Sequence, residues 1–445
     1  MSIIITEKTF LDYFNNPNDL QIGTLIAVLE LSALVFSLLV PYVSNTYGRK
    51  YTIILGALVF SIGGLLQSMA PFYWVMLVGR IISGAGIGFL SSIVPLFQSE
   101  CSPHEQRGLY GSIEFTGNIL GFSSSIWLDF GCSYISGTAS WRVPLIVQVL
   151  LGTILFLGGF ALVESPRYLL TKNKDKEGFR VLRLFHDDDE LLEPGKSKRE
   201  FLVIKRSIEA DRQRIQKKDR SFFNVIRNNK KRILIGSSTL IFAQTNGINL
   251  VSYYQPMIFK QIGFKGRSSF LLSGINGLIY LASTIIPWFI MDNRRIGGRR
   301  KLFIFGGIVM GLCLCLAGIF TAFDSQIGSI LCAVVIVGYM ATFGITWGPV
   351  GWLYNSEIYS DSYTRAVGTA LGSAGNWISN FVVGEISPAL LDLITWRLYF
   401  IYGVSCFISV FVAYKCYPET AGVELEDMDE LFSNFYHKKR RNIEK

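Results

Sequence analysis

The sequence predicts an all-α polytopic membrane protein made of two pseudo-symmetric helical bundles. Three observations carry that expectation: an apolar composition, apolar runs of membrane-spanning length, and a set of local signatures that occurs twice. Half of the 445 residues are hydrophobic and only 17% are charged, with a mean hydropathy of +0.38. A water-soluble chain of this length is more polar.

The repeated signatures share nearly one offset. Gly48-Arg49-Lys50 returns as Gly298-Arg299-Arg300, and Glu100…Arg107 returns as Glu357…Arg365. Trp141-Arg142 returns as Trp396-Arg397, and Glu164-Ser165-Pro166-Arg167 as Pro418-Glu419-Thr420. The offsets are 250, 257, 255 and 255. Apolar stretches separate these markers, so the duplicated unit is a membrane domain.

A bilayer is crossed by about 20 apolar residues in a helix. Such runs lie near 20–42, 51–70, 74–97, 108–128, 143–163, 233–259, 269–291, 302–322, 328–354, 366–392 and 397–417, which predicts about eleven spans. The loops alternate in charge: those on one side (43–50, 98–107, 164–231, 292–301, 356–365, 415–445) hold 34 Lys and Arg, and the opposite set holds 4. The positive-inside rule places the long central loop and the C-terminus in the cytoplasm. The net charge of +9 is thereby explained by topology, and a nucleic-acid partner is set aside. The expected organisation is an N-terminal bundle over 1–163, a cytoplasmic loop with short helices over 164–231, a six-helix bundle over 232–417 and a cytoplasmic tail over 418–445. Two spans precede the glycine–basic loop in the second copy and only one in the first, so a first helix is expected to be missing and the topology of residues 1–19 stays open. The first 19 residues are polar and show no cleavable signal peptide.

The 43 glycines suit closely packed membrane helices. The seven cysteines are scattered without metal-ligand spacing, so no cofactor or metal is expected. The three histidines, His104, His186 and His437, all fall in the charged loops, away from any nucleophile–base pair. An enzyme is not expected.

Two similar bundles joined by a long loop suggest an alternating-access carrier, its solute site between the halves near the midplane. Such a machine needs a closure at one face. Arg49, Lys50, Glu100 and Arg107 in one half, and Asp292, Arg299, Glu357 and Arg365 in the other, are the candidates for a gating network. Polar groups inside spans are costly and therefore informative: Glu30, Arg80, Glu114, Gln244, Asn249, Asn376 and Glu385 stand out. Gln244, Asn249 and Tyr253 are read along one helix, and Trp347, Trp352, Asn376 and Trp377 add aromatic faces and an amide. That mixture suits a neutral hydroxyl-rich solute. Gly344, Gly348, Pro349 and Gly351 predict a broken or kinked span.

These residues resemble the sugar porters of the major facilitator superfamily, fungal hexose and polyol carriers especially. The resemblance runs over nearly the whole chain and is strongest from Trp347 to Gly384. GRIISGAGIG from Gly79, WRVPLIVQ from Trp141, ESPR at 164–167, QTNGINLVSYY from Gln244 and PET at 418–420 support it. It implies the major facilitator fold, solute contacts at Gln244, Asn249, Tyr253, Trp352, Asn376 and Trp377, and gating charges that include Glu164 and Arg167. It also implies a membrane-embedded arginine at Arg80; Glu30, read from the spans themselves, is a second embedded charge. The implied partners are a sugar or polyol and the lipid bilayer, with the chain acting as a monomer, most simply in the plasma membrane; proton coupling is left open. The sequence departs from the family at Phe115 and Ala243, where amides stand in the pattern, at Tyr280 and at Asn45. Those departures leave two further readings open, a non-transporting sensor and a nonfunctional truncated carrier.

Overall fold

The computed structural model describes Ile4 and residues 8–103, 105–186, 195–215, 221–261, 267–323 and 325–441. His104 and the side chains of Tyr254 and of Lys438, Lys439, Arg440 and Arg441 lie outside the described set. The regular elements among the described residues are helices, and their order follows the apolar runs.

A short helix, α1 (Lys8–Tyr13), precedes α2 (Asp19–Ser37), α3 (Val40–Tyr47), α4 (Arg49–Ser68), α5 (Tyr73–Cys101), α6 (Arg107–Cys132) and α7 (Ala139–Gly159). Asn18 starts α2 with a capping box: its side chain accepts from the Gln21 N–H at 2.8 Å while the Gln21 side chain accepts from the Asn18 N–H at 2.9 Å. The 20–42 span expected as one helix is interrupted at Leu38–Leu39, just before Pro41. α5 crosses α2 at very short range. A Cβ on Gly84 would lie 2.4 Å from the Leu29 carbonyl oxygen, and one on Gly88 would lie 2.4 Å from that of Ala33. Only a small-xxx-small pair allows two membrane helices this close. At the far end, α1 packs Phe10 edge-on to the buried ring of Trp141, with centroids 5.7 Å apart.

The central segment folds as α8 (Pro166–Thr171), α9 (Asp175–His186) and α10 (Lys196–Ile215) around Leu170, Leu182 and Ile204. The second set of long helices comprises α11 (Phe222–Thr245), α12 (Ile248–Gln261), α13 (Arg267–Ser283), α14 (Pro287–Ile290) and α15 (Arg299–Ala322). It continues through α16 (Gln326–Ile345), α17 (Trp347–Glu357), α18 (Ser362–Ile394) and α19 (Arg397–Cys416), and α20 (Met428–Arg441) lies in the tail.

The span that carries Gln244 and the glycine-rich span are broken as well. Gln244 and Asn249, read from the sequence as one helix, are separated by a turn at Gly247 with φ +98°, so they belong to α11 and α12. The glycine-rich span breaks between α16 and α17 at Thr346, whose φ of −124° and ψ of −91° are non-helical, in the region the glycines and Pro349 predicted.

Among the described residues, eight helical stretches are long and apolar enough to cross a membrane. The spans expected at α6, α11 and α18 fall outside that set, although these helices run for 26, 24 and 33 residues. They carry Glu114 and Asn118, Gln244, and Asn376 and Asn380, which lowers their apolar content. By contrast, α7 turns Leu150, Leu151, Ile154 and Leu157 outward, as a lipid-facing helix does. The halves meet where α2 and α5 pack on α18 and where α6 packs on α13 and α17.

Candidate functional site

The glycine–basic, Glu…Arg and acidic signatures gather on one face of the molecule and build the same device twice. Gly48, at φ +106°, turns the chain into α4, and the Glu164 carboxylate accepts from the exposed N–H groups of Arg49 at 3.0 Å and Lys50 at 3.3 Å. Gly298, at φ +89°, does likewise for α15, where Glu419 accepts from Arg299 N–H at 2.9 Å and Arg300 N–H at 3.1 Å. A carboxylate at a helix N-terminus satisfies free donors and complements the dipole. The glycines are needed because a Cβ at either position would run into the capping carboxylate, 2.2 Å from Glu164 and 2.6 Å from Glu419. Burial pushes the Glu164 carboxyl above its usual range, opposed by the backbone N–H groups that it accepts from.

Beneath each cap lies a buried ion pair. Arg49 Nε and Nη2 donate to Glu100 Oε2 and Oε1 at 2.9 and 3.1 Å. Arg299 Nε and Nη2 donate to Glu357 Oε1 and Oε2 at 3.0 and 3.4 Å. A hydroxyl donates to each glutamate: Ser165 to Glu100 at 2.6 Å and Thr420 to Glu357 at 2.5 Å. These four ionic side chains are almost wholly buried. Good pairing geometry and further hydrogen bonds of this kind offset the cost of taking the charges out of water.

The network also ties the halves together. Ser362 of α18 accepts from Arg49 Nη2 at 2.7 Å and donates to Glu100 at 3.0 Å, while Arg365 approaches Glu100 at 3.5 Å. Across the other seam, Asp292 accepts from Gly108 N–H at 3.0 Å and Leu109 N–H at 2.9 Å, capping α6 from the opposite half, and also pairs with Arg299 at 2.8 Å. Arg107 is buried and makes no ion pair among the described residues; its Nη1 donates to the Val423 carbonyl at 3.3 Å. Arg167 pairs with Glu426 in the tail, and burial lowers its proton affinity. Sequence reasoning missed Ser362 and Glu426. It singled out Glu419 as the repeat of Glu164 but assigned it no place in the network.

The second cluster lies within the helices. Gln244 Nε2 donates to Asn376 Oδ1 at 2.6 Å, and Asn249 Nδ2 donates to Gln244 Oε1 at 2.6 Å and Asn380 Oδ1 at 2.5 Å. Asn380 Nδ2 in turn donates to the Tyr253 hydroxyl at 3.1 Å. Four amides and a phenol from α11, α12 and α18 thus form one neutral network. Asn380 was missed, although it sits one turn beyond Asn376 on the same helix face. Trp377 does not join the amides; its Nε1 donates to Ser91 Oγ on α5 at 3.0 Å, spanning the seam between halves. Trp352 is half-buried on α17.

Arg80 donates from Nε to the Leu25 carbonyl at 2.8 Å and from Nη2 to that of Ile26 at 3.4 Å. Both carbonyls belong to α2, which also carries Glu30. The two embedded charges are therefore neighbours without a direct ion pair.

The family described as "Sugar (and other) transporter" matches residues 5–432. The chain belongs to that family. It is 30% identical over 465 residues to High-affinity glucose transporter 1 of Candida albicans, covering 97% of this chain and 82% of that protein. It is 32% identical over 450 residues to High glucose sensor RGT2 of Saccharomyces cerevisiae, covering 96% of this chain and 57% of the sensor. The fold superposes on the major facilitator proton:xylose symporter XylE from E. coli, bound to 6-bromo-6-deoxy-D-glucose. The TM-score is 0.86 at 23% identity, covering 97% of this chain and 95% of that one. The chain is thus a multi-pass membrane protein of a transporter family, with the major facilitator fold, and not an enzyme.

Proposed function

We propose that this protein carries a small neutral hydroxyl-bearing solute, a sugar or polyol, across a membrane by alternating access. The observation that carries the reading is the neutral amide network. Gln244, Asn249, Asn376 and Asn380 with Tyr253 offer donors and acceptors in the interior, with no ionic partner inside the network. A hydroxyl both donates and accepts, so it can replace one amide–amide bond with two of its own. Trp352 and Trp377 would supply flat faces for the solute's C–H surface. The 30% identity to a high-affinity glucose transporter supports the same solute class.

The duplicated charge network on the basic face is the latch of the closed state in this reading. Arg49, Glu100 and Ser362 with Arg365, and Asp292 with the start of α6, part when that face opens. The basic face and the C-terminus point to the cytoplasm, and the protein works as a monomer, in the plasma membrane. Glu30, close to Arg80, is the group whose protonation would couple transport to protons.

Uptake tests the proposal. In cells lacking their own sugar carriers, labelled sugars and polyols enter when the protein is expressed, and Gln244→Ala or Asn376→Ala raises KM by about tenfold or more, the equivalent of one or two hydrogen bonds. Uptake equal to that of empty cells for every solute, with the protein at the surface, defeats the carrier reading. It favours a non-transporting sensor, a second reading supported by the 32% identity to RGT2.

A further inference from the structure

In the second half, α11 packs on α18, α17 and α19. A Cβ on Gly375 of α18 would lie 3.2 Å from Ile241 of α11, and Asn376, the next residue, accepts from Gln244 at 2.6 Å. Just past the end of α11, Asn246 Nδ2 donates to Ser409 of α19 at 3.2 Å, and Ser405 donates to Asn246 Oδ1 at 3.3 Å. Cys406 and Ser409 are completely buried there.

The first half presents the same face uncovered. The repeat that relates Arg365 to Arg107 carries Gly375 and Asn376 onto Gly117 and Asn118 of α6. A Cβ on Gly117 would meet nothing within 4 Å, and neither would one on Gly121, one turn further. Asn118 is exposed and makes no hydrogen bond among the described residues. Glu114, one turn earlier on that face, makes no hydrogen bond or ion pair among them either. The repeat that relates Trp396 to Trp141 carries Cys406 and Ser409 onto Leu151 and Ile154 of α7, which are both 57% exposed. Among the described residues the helix before α2 is α1, which is six residues long and packs at Trp141. What α11 covers in one half is bare in the other.

We propose that this face of α6 and α7 docks one transmembrane helix of a second polypeptide, a single-span membrane protein that completes the first half as α11 completes the second. Acyl chains can cover Leu151 and Ile154, but they offer no hydrogen bond to Glu114 or Asn118, and polar groups inside a span are costly without one. A second copy of this chain does not supply the helix, because its α11 is already held in its own half. The partner's helix is about 20 residues long. It is aliphatic toward α7, approaches closely at Gly117 and Gly121, and brings an amide or a cationic group to Glu114 and Asn118. Asn376 belongs to the amide network, so its counterpart Asn118 borders the same interior space. The docked helix closes that space toward the lipid. One copy of this chain and one single-span partner make the unit.

The full-length protein in lipid nanodiscs tests the site with a defined probe, a synthetic peptide of the α11 sequence carrying Gln244→Cys. Under mild oxidation the peptide is expected to form a disulfide with Asn118→Cys and not with Val334→Cys, an exposed position on α16. Adding Gly117→Leu to Asn118→Cys should lower the yield by about tenfold, as overfilling a close contact does. The peptide should also raise the unfolding midpoint of the wild type, a readout that needs no variant to fold. In the cells that make the protein, a photoreactive residue in place of Leu151 should link to one polypeptide with a single apolar stretch. The same residue in place of Phe411, exposed on α19, should not. That polypeptide, once purified, should raise the midpoint of the wild type and not that of Gly117→Leu. Equal linkage at the Val334 position, a disulfide dimer of Asn118→Cys in place of the peptide adduct, an unmoved wild-type midpoint, or no polypeptide adduct at the Leu151 position each overturns the proposal. All of these results leave the carrier reading, which uptake tests, standing.

Discussion

Glu357 has the most to lose from a single change. Its carboxylate neutralises Arg299 and accepts from Thr420, with no contact to water. Glu357→Gln leaves the Arg299 guanidinium buried beside Asp292 alone, and breaking a buried pair in this way costs about 3–5 kcal/mol. The thermal midpoint of the purified variant is expected to fall sharply. Thr420→Ala removes one hydrogen bond to a charged group, about 1.5–3 kcal/mol, so its midpoint should fall less; equal losses would contradict the assigned roles. The ionic residues were legible in the sequence because both copies repeat them. Ser362 was not: a lone serine has no pattern, and its bonds to Arg49 and Glu100 exist only because α18 arrives from the other half.

At the scale of helices, the two seams differ. Asp292 reaches across one seam and caps α6, whose own N-cap residue, Gln106, makes no capping bond. Asn45 occupies the related place at the other seam, where α18 is capped within its own half by Asp361, which accepts from Tyr363 N–H at 3.3 Å and Thr364 N–H at 2.7 Å. Asn45 instead lines an open cleft of 460 Å³ with Tyr42, Lys172, Phe222 and Tyr363. Charge–dipole contacts of this kind contribute up to about 2 kcal/mol when partly buried. Asp292→Asn is therefore expected to favour the open basic face and to raise the modification rate of Cys101, the residue after Glu100, as read by mass spectrometry after thiol labelling. Asn45→Asp places a second carboxylate at the weak seam and is expected to slow maximal uptake without a matching change in KM. A faster carrier would rule out that role. The break that separates Gln244 from Asn249 belongs to this scale too. Asn246-Gly247 is a turn signal, yet the apolar run continues on both sides, and hydropathy alone reads straight through it.

For the whole molecule, the charge network joins halves far apart in sequence, through Glu100 with Arg365 and Asp292 with Gly108. A double-mutant cycle on Glu100→Gln and Arg365→Gln is expected to show coupling of about 0.5–3 kcal/mol in unfolding midpoints, as residues sharing a network do. Strict additivity would mean that the halves close independently of this contact.

The amino-acid sequence alone determined the membrane class, the duplication, the basic face and the residues of both buried ion pairs, because each depends on composition or on patterns repeated along the chain. The tertiary structure decided which groups meet: Ser362 with Arg49, Trp377 with Ser91 and Phe115 with Gly348 across the seams, and Asn380 with Asn249 inside the second half. Those contacts depend on how the helices are rotated and shifted against each other. That relation is set by the summed packing of many small surfaces, and no local stretch of sequence encodes it.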